Sequence, residues 1–182
     1  MKRSQTIIGA LAAFGLLTCV SAVGAQLHAP NNSAKLLRTD RNFIEKAAQD
    51  GREEVELGRL AESKASSDAV KQFGQRMVQD HGNANKDLMD LATNKGVQLD
   101  EKAAKKDPVA DKLSKLQGQD FDREYVKEMV KDHKKDVAEF RKMHSGAVDP
   151  NLKAWIDKTL PTLEDHLKSI EGIQAQMAST KK

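Results

Sequence analysis

Three Asp-His dipeptides recur along the chain, and their histidines are the side chains best suited to chemistry. Each histidine lies near the middle of a long stretch in which apolar residues recur with helical spacing, and each falls on the apolar seam of that stretch. A glutamate takes the same place in the first such stretch. Imidazole nitrogens and carboxylate oxygens are ligands for zinc, iron and copper, so these side chains are candidates for a metal site. The dipeptides are Asp80-His81, Asp132-His133 and Asp165-His166, and the glutamate is Glu54.

Four long amphipathic stretches must position these side chains. The apolar period predicts helices over about 41–64, 67–94, 120–144 and from 150 onward, with a short connector helix over about 108–118. Strands are not predicted, because no sustained alternation of period two occurs. The sequence therefore predicts an all-α fold, an up-down-up-down four-helix bundle with a short extra connector helix, over residues 40–178.

Several residues indicate where the predicted helices begin and how they pack. Glycine costs about 1 kcal/mol against alanine inside a helix, so Gly51 and Gly58 suggest that a neighbouring backbone comes close. Pro161 lacks an amide donor and predicts a kink or a break in the last helix. The predicted N-cap residues are Asp40, Ser66 or Ser67, Asp107 and Asp149.

The candidate ligands stand at similar depths in their helices. Each lies about a dozen residues from the predicted start of its helix, and a difference of two residues moves a side chain only about 3 Å along the axis. Four antiparallel helices of similar length therefore bring the midpoints to one height. Two readings stay open: a metal site in the bundle core, or histidines that are satisfied by hydrogen bonds and only fix helix register.

No reaction motif supports catalysis. The common di-iron bundle carries Glu-x-x-His pairs, but the residues three before the histidines are Val78, Val130 and Leu163. A ferroxidase or di-iron oxygenase is therefore disfavoured. No nucleophile elbow or phosphate loop is present. The sequence leaves enzymatic activity undecided and favours a protein without turnover.

The N-terminus predicts export. Lys2 and Arg3 precede an apolar run over 7–20, and small residues end at Ala25, the plan of a secretory signal peptide over residues 1–25. The run is short for a retained membrane anchor. Lipidation at Cys19 is a further alternative. Residues 26–39 carry no apolar period and are predicted to form a disordered leader, so we expect a periplasmic protein, with outer-membrane association left open.

Charge and composition argue against a nucleic-acid partner. The net charge is +3, and loss of Lys2 and Arg3 with the signal peptide leaves +1. Acidic and basic residues are interspersed, and aromatic residues make up only 4% of the chain, so neither a basic stripe nor a stacking surface is predicted. Cys19 is the only cysteine, and the mature protein is expected to fold without disulfides. Protein or envelope partners and the oligomeric state stay undetermined.

Short motifs are spread over residues 40–175 and together resemble a known family. The motifs are Phe43 to Ala48, Glu54-Val55-Glu56-Leu57-Gly58, Met77-Val78-Gln79-Asp80-His81, Asn85, Gly118-Gln119-Asp120-Phe121-Asp122, Tyr125, Met129-Val130 with His133, and Leu160-Pro161 with His166-Leu167. The pattern is similar to the bacterial domain of unknown function numbered 4142, exported proteins placed among ferritin-like helical bundles. The resemblance implies the ferritin-like bundle and the exported location, includes Glu54 and the three histidines in the family's pattern, and implies no established activity.

Two functions follow from these observations. The first is a bundle that binds a transition metal ion, zinc, iron or copper, or a small ligand through its core Glu/His cluster. The second is a structural or stress-related envelope protein that acts through surface contacts. Convergence of the candidate ligands separates the two, because ligands of one ion must lie within a few ångströms of one another.

Overall fold

Long α-helices account for most of the described chain. The computed structural model describes residues 36–99 and 107–179, so the predicted signal peptide and most of the predicted leader lie outside the described residues. No helix in these two ranges is long and apolar enough to cross a membrane. The helices are α1 (Arg38–Lys64), α2 (Asp68–Asn94), α3 (Pro108–Leu113), α4 (Gly118–Gly146) and α5 (Pro150–Ser179).

α1 and α4 run antiparallel, as contacts at both ends show. Near the start of α1, the Asp40 carboxylate accepts hydrogen bonds from the backbone amides of Val148 and Asp149, just after α4, at 3.2 and 2.9 Å. Just after the end of α1, the backbone amide of Ser66 donates to the carboxylate of Asp122, near the start of α4, at 3.1 Å. The end of α1, the start of α2 and the start of α4 therefore meet at one end of the bundle.

The opposite end of the bundle fixes the remaining directions. Lys95, just after α2, forms an ion pair of 2.6 Å with Asp149, just before α5. α2 and α4 therefore run in the same direction, and the order is up, down, down, up. The predicted all-α four-helix bundle is confirmed, but the predicted up-down-up-down order is wrong, because α2 ends and α4 begins at opposite ends of the bundle, so that a long crossover joins them. One long crossover of this kind is the ferritin-like arrangement.

Two predicted helix starts agree with the structure. The Asp107 carboxylate accepts a hydrogen bond from the amide of Val109 at 2.8 Å, and the Asp149 carboxylate accepts one from Leu152 at 3.0 Å. The break predicted at Pro161 does not occur, since α5 continues across it. Residues on both sides of the proline are buried in the core, and this packing outweighs a cost of about 3 kcal/mol for proline inside a helix.

The other two predicted N-caps, those of α1 and α2, do not cap their helices through a side chain. Asp40 is not the N-cap of α1, because that helix begins at Arg38 with Leu37 at the capping position. Ser67 occupies the N-cap of α2 but makes no side-chain capping bond; instead its amide donates to Asp122 of α4 at 3.0 Å. Asp40 thus accepts hydrogen bonds from the segment between α4 and α5, and Asp122 accepts them from the segment between α1 and α2.

The core consists of two apolar clusters with a polar layer between them. In each of the four long helices, the predicted ligand lies in the sequence between the residues of one cluster and those of the other. The first cluster includes Leu57, Phe73, Met77, Phe121, Tyr125, Met129 and Ile170. The second includes Ile44, Leu88, Val137, Phe140, Leu152, Trp155 and Leu163.

Glycines allow α1 and α2 to approach closely, as predicted in part. A Cβ on Gly58 would lie 2.6 Å from the carbonyl oxygen of Gly74, so a backbone does come close there. At Gly51 the neighbour is a side chain instead, with Asn85 Oδ1 2.6 Å from the position of a Cβ. The close contact places α2 directly beside α1 at the level of Glu54.

Candidate metal centre

One candidate ligand from each long helix reaches the polar layer. His133 and His166 are fully buried, His81 is 5% exposed and Glu54 is 6% exposed. The centres of the three imidazole rings lie 5.3 to 5.9 Å apart. One ligand nitrogen from each histidine can be chosen so that all three lie within 4.8 Å of one another. The structure thus brings together the four residues predicted from the sequence.

Each imidazole uses one nitrogen to fix its orientation. His81 Nδ1 lies 2.8 Å from Glu54 Oε2. His133 Nδ1 lies 3.0 Å from the carbonyl oxygen of Met129, one turn earlier in α4, and therefore donates its proton to that oxygen. His166 Nε2 lies 2.8 Å from a carboxylate oxygen of Asp80 on α2. Partners of this kind fix the tautomer and ring orientation of histidines that bind metals.

The second nitrogen of every ring is buried without a hydrogen-bond partner. These atoms are His81 Nε2, His133 Nε2 and His166 Nδ1, and Glu54 Oε1 is in the same state. Glu54 Oε1 lies 3.6 Å from His133 Nε2. A buried polar atom without a partner costs about 1–3 kcal/mol, so four of them in one layer are a substantial cost. Once His81 has released the proton of its Nε2, all four atoms can donate electron pairs to one cation.

Charge is divided unequally among the four residues. Burial would raise the pKa of Glu54, but the adjacent His81 lowers that pKa below its ordinary value. Burial would lower the pKa of His81, but the Glu54 carboxylate raises that pKa above its ordinary value. Burial lowers the pKa of His133 and takes that of His166 to about 4. Near pH 7 the layer therefore holds one buried ion pair and two neutral imidazoles whose free nitrogens carry lone pairs.

The aspartates of the three dipeptides differ in their roles. Asp80 contacts a neighbouring helix through His166, and it also accepts a hydrogen bond from Arg76 Nε at 3.2 Å. Arg76 in turn donates to Asp165 at 2.7 Å on the bundle surface. Asp132 is half-buried, and burial raises its pKa. Only Asp80 supports an imidazole of the layer.

A cluster of acidic side chains beside the layer was not predicted. Ligand oxygens of Asp50, Asp136 and Glu139 lie within 4.8 Å of one another, on α1 and α4. Burial and the charges of Glu54 and Asp50 raise the pKa of Asp136 to about 8. The sequence does carry a signal, since Asp136 follows His133 by three positions and Asp50 precedes Glu54 by four, which places each pair on one helix face.

Two openings lead toward the layer. A cavity of about 30 Å³ lies beside the acidic cluster and is lined by residues of all four long helices, Glu54 and His81 among them. A groove of about 480 Å³ between α2 and α5 is lined by Asp80, His81 and His166. The smaller cavity has room for a water molecule or an ion, because a water needs about 10–15 Å³ measured in this way.

His144 lies outside the site. Its Nε2 is 2.7 Å from Asp157 Oδ1 on the bundle surface, and its side chain is 43% exposed. It offers a matched histidine for control experiments.

Several solved structures share this fold. The DUF305 fragment from Deinococcus radiodurans superimposes with a TM-score of 0.69 at 13% identity, over 78% of this chain and 98% of that one. A DUF305 protein from Streptomyces coelicolor gives 0.66 at 13% identity, over 75% and 92%. CopM in its Cu(I)-bound form gives 0.64 at 18% identity, over 76% and 96%. At these identities the likeness shows a common helical-bundle fold.

Family membership rests on the sequence. A search of curated proteins finds no match. The model of the domain of unknown function DUF4142 matches residues 25–173, which include all five helices up to the last turns of α5. The motifs that resemble this family lie within that range, and the chain belongs to the DUF4142 family.

Proposed function

We propose that this protein binds one divalent transition-metal ion in the core of its bundle. The ion sits in the polar layer between the two apolar clusters and contacts one side chain from each long helix. Its role is to hold or carry the ion without turnover of a substrate, since the residues of the layer are at most 6% exposed. The ligands are Glu54, His81, His133 and His166.

The observation that carries the proposal is the set of four buried Glu and His atoms without partners in one layer; the fifth such atom of the described residues, the Tyr125 hydroxyl oxygen, belongs to the adjoining apolar cluster. If the histidines served only to fix register, hydrogen bonds would be expected to satisfy both of their nitrogens. Instead one nitrogen of each ring is held by a partner and the other is free. A cation that accepted all four lone pairs would remove the cost of leaving them unpaired.

The ligand chemistry favours zinc or Cu(II) over softer ions. Three imidazoles and a carboxylate suit Zn²⁺, Cu²⁺ and Fe²⁺, whereas Cu⁺ and Ag⁺ prefer thiolate and thioether sulfur. CopM, whose fold is similar, has been solved in Cu(I)-, Cu(II)- and Ag-bound forms. That protein supports the view that a bundle of this kind accommodates such ions. For this chain we expect Cu²⁺ and Zn²⁺ to bind more tightly than Cu⁺.

Titration of tag-free mature protein with Co²⁺ tests the site. We expect one Co²⁺ per chain, with the visible absorption typical of a protein-bound ion, and displacement by Zn²⁺. His133→Asn should weaken binding at least tenfold, while His144→Asn, which removes a surface histidine, should bind like the parent. Circular dichroism checks that every variant stays helical.

Two results would overturn the metal site. One is a parent that takes up no Co²⁺, Zn²⁺ or Cu²⁺. The other is equal binding by the parent and the folded His133→Asn variant. In either case the ion pair of Glu54 with His81 would explain the layer as a device for helix register, and an envelope protein that acts through surface contacts would become the better proposal.

Export is the second part of the proposal. It is supported by the predicted signal peptide and by a family match that begins at residue 25, beside the predicted cleavage point. The intact mass of protein recovered from the periplasm should correspond to a chain that starts at Gln26. A chain that retains Met1 or carries a lipid on Cys19 would contradict cleavage after Ala25.

A further inference from the structure

Carboxylates of graded exposure lead from the bundle surface to the polar layer. The side chains of Glu139 and Asp50 are 38% and 26% exposed, whereas Asp136 is 7% exposed and Glu54 is 6% exposed. The first three form a cluster on α1 and α4 whose oxygens lie within 4.8 Å of one another. Carboxylate oxygen is a ligand for hard and borderline divalent cations.

Asp136 is buried without a partner in this cluster. Its side chain forms no hydrogen bond or ion pair with any residue of the described ranges, although Asp50 and Glu139 both pair with Lys46. A buried carboxyl group without a partner stays protonated near neutral pH, and a cation that displaces the proton would satisfy it. Asp136 also lines the 30 Å³ cavity, as does Glu54, whose Oε1 is the unpartnered oxygen of the layer.

The cavity joins the acidic cluster to the layer. Its lining includes all three carboxylates of the cluster, Lys46, Glu54 and His81. With Asp136 protonated near neutral pH, three carboxylates face Lys46 and His81, so the lining keeps a negative charge that attracts a cation, and the cation displaces the Asp136 proton as it binds. Lys46 already occupies the outer side as a cation, with its Nζ 2.8 Å from Glu139, and 41% of its side chain is exposed.

The groove between α2 and α5 is less suited to attract a cation. Its charged lining residues are balanced, because Asp80 and Asp87 are matched by Lys86 and Lys158. Lys158 pairs with Asp87 at 2.6 Å, and Arg76 pairs with Asp80 at 3.2 Å. Of the two openings, the cavity beside the acidic cluster is therefore the one with an excess of negative charge.

We infer that Asp50, Asp136 and Glu139 form an outer cation site through which a divalent metal ion passes to the buried Glu/His layer. The inference rests on the proposed metal site and adds the route by which it is filled. An incoming ion displaces Lys46 from Asp50 and Glu139, is held by Asp136, and is passed to Glu54. Lys46 pairs with the same carboxylates when the ion has gone inside.

The rate of metal uptake tests this route separately from affinity. Stopped-flow mixing with Co²⁺ at low ionic strength and about pH 8.5, where Asp136 is ionised, follows the visible absorption of the buried site in the parent and in Asp136→Asn. Uptake should slow about tenfold, within the range by which local charge changes on-rates, and the difference should shrink in high salt. The equilibrium dissociation constant should stay within about threefold of the parent's. The reason is that the variant should also slow the release of Co²⁺, which is measured by adding a chelator.

Two further variants bracket the result. Lys46→Gln removes the competing cation and should speed uptake, while Asp90→Asn removes an exposed carboxylate paired only with Lys86 and should leave the rate unchanged. Because Lys46→Gln is expected to speed uptake whereas Asp136→Asn slows it, Lys46→Gln still tests the route if Asp136→Asn folds poorly.

The outcomes separate the two proposals. An unchanged rate in both Asp136→Asn and Lys46→Gln overturns the route while the metal site stands. A loss of equilibrium affinity in Asp136→Asn as large as that in His133→Asn also overturns it, because Asp136 would then be a ligand of the final site. A parent that binds no Co²⁺ at equilibrium refutes the metal site itself, and the route with it.

Discussion

Replacing His166 by glutamine should remove a pH-dependent part of the stability of the metal-free protein. Glutamine does not titrate, and its amide can still donate to Asp80 in place of His166 Nε2. Burial, supported by the nearby His81 and His133, lowers the pKa of His166 from 6.5 to about 4. Because one pKa unit is 1.36 kcal/mol, the full effect is about 3 kcal/mol.

The sign follows from proton binding in the two states. His166 has a lower pKa in the folded protein than in the unfolded chain, so between about pH 6.5 and pH 4 the unfolded chain binds more protons. The free energy of unfolding therefore falls as the pH falls through this window and is unaffected by His166 above it. Between pH 7 and pH 4.5 the loss due to His166 alone is about 2 kcal/mol.

Urea unfolding of metal-free protein at pH 7 and pH 4.5 measures this loss. The parent should lose about 2 kcal/mol more than His166→Gln over that interval. His144→Gln removes an exposed histidine and should keep the parent's pH dependence. If His166→Gln loses as much stability as the parent, His166 is not held neutral by burial, and the account of the polar layer as two neutral imidazoles beside an ion pair is refuted.

Three other predictions concern the helix contacts and the site. Gly58→Ala should destabilise the protein by about 1–3 kcal/mol in thermal or urea unfolding, because the carbonyl oxygen of Gly74 lies 2.6 Å from the new Cβ. As a control, Gly172→Ala places its Cβ in open space and should stabilise the protein by up to about 1 kcal/mol. Asp122→Ala leaves the start of α2 without its acceptor and should cost about 2 kcal/mol in the same assay. Co²⁺ affinity should fall about tenfold per pH unit below the raised pKa of His81 in equilibrium titrations, since a proton then competes for that ring; a flat profile would exclude His81 as a ligand.

The position of the candidate ligands was predictable because it depends little on topology. Glu54 and the three histidines lie near the middle of helices of similar length, and a midpoint keeps its height when a helix is reversed. The sequence-based prediction therefore placed all four in one layer even though the directions of α4 and α5 were wrong. The apolar seam on which each residue lies was enough to turn it toward the core.

Helix direction and the distant caps were not predictable in the same way. Nothing in the local pattern distinguishes a connection that returns along the bundle from one that turns back at once. Asp40 and Asp122 are both acidic residues near helix starts, so local rules make each a capping candidate for its own helix. In the fold both accept hydrogen bonds from other parts of the chain, and only tertiary packing reveals this.

The acidic cluster departs from the pattern of di-iron bundles. In those bundles a glutamate lies three residues before the histidine. The carboxylate beside His133 lies three residues after it, at Asp136, on the same helix face. Its distance from Asp50 depends on the rotation of α1 against α4, which the sequence does not specify.

The two interpretations of the polar layer differ in what they require of each atom. A register device gains specificity from satisfied bonds, and the Gly58–Gly74 contact already sets α1 against α2. The layer instead leaves one buried atom unpaired on each helix, at a cost of about 1–3 kcal/mol apiece. The other nitrogens of the three rings are each held by a partner, so the rings cannot turn to satisfy the free ones without losing those bonds. An ion that contacted all four helices would satisfy these atoms together, and on this ground we propose metal binding rather than packing alone.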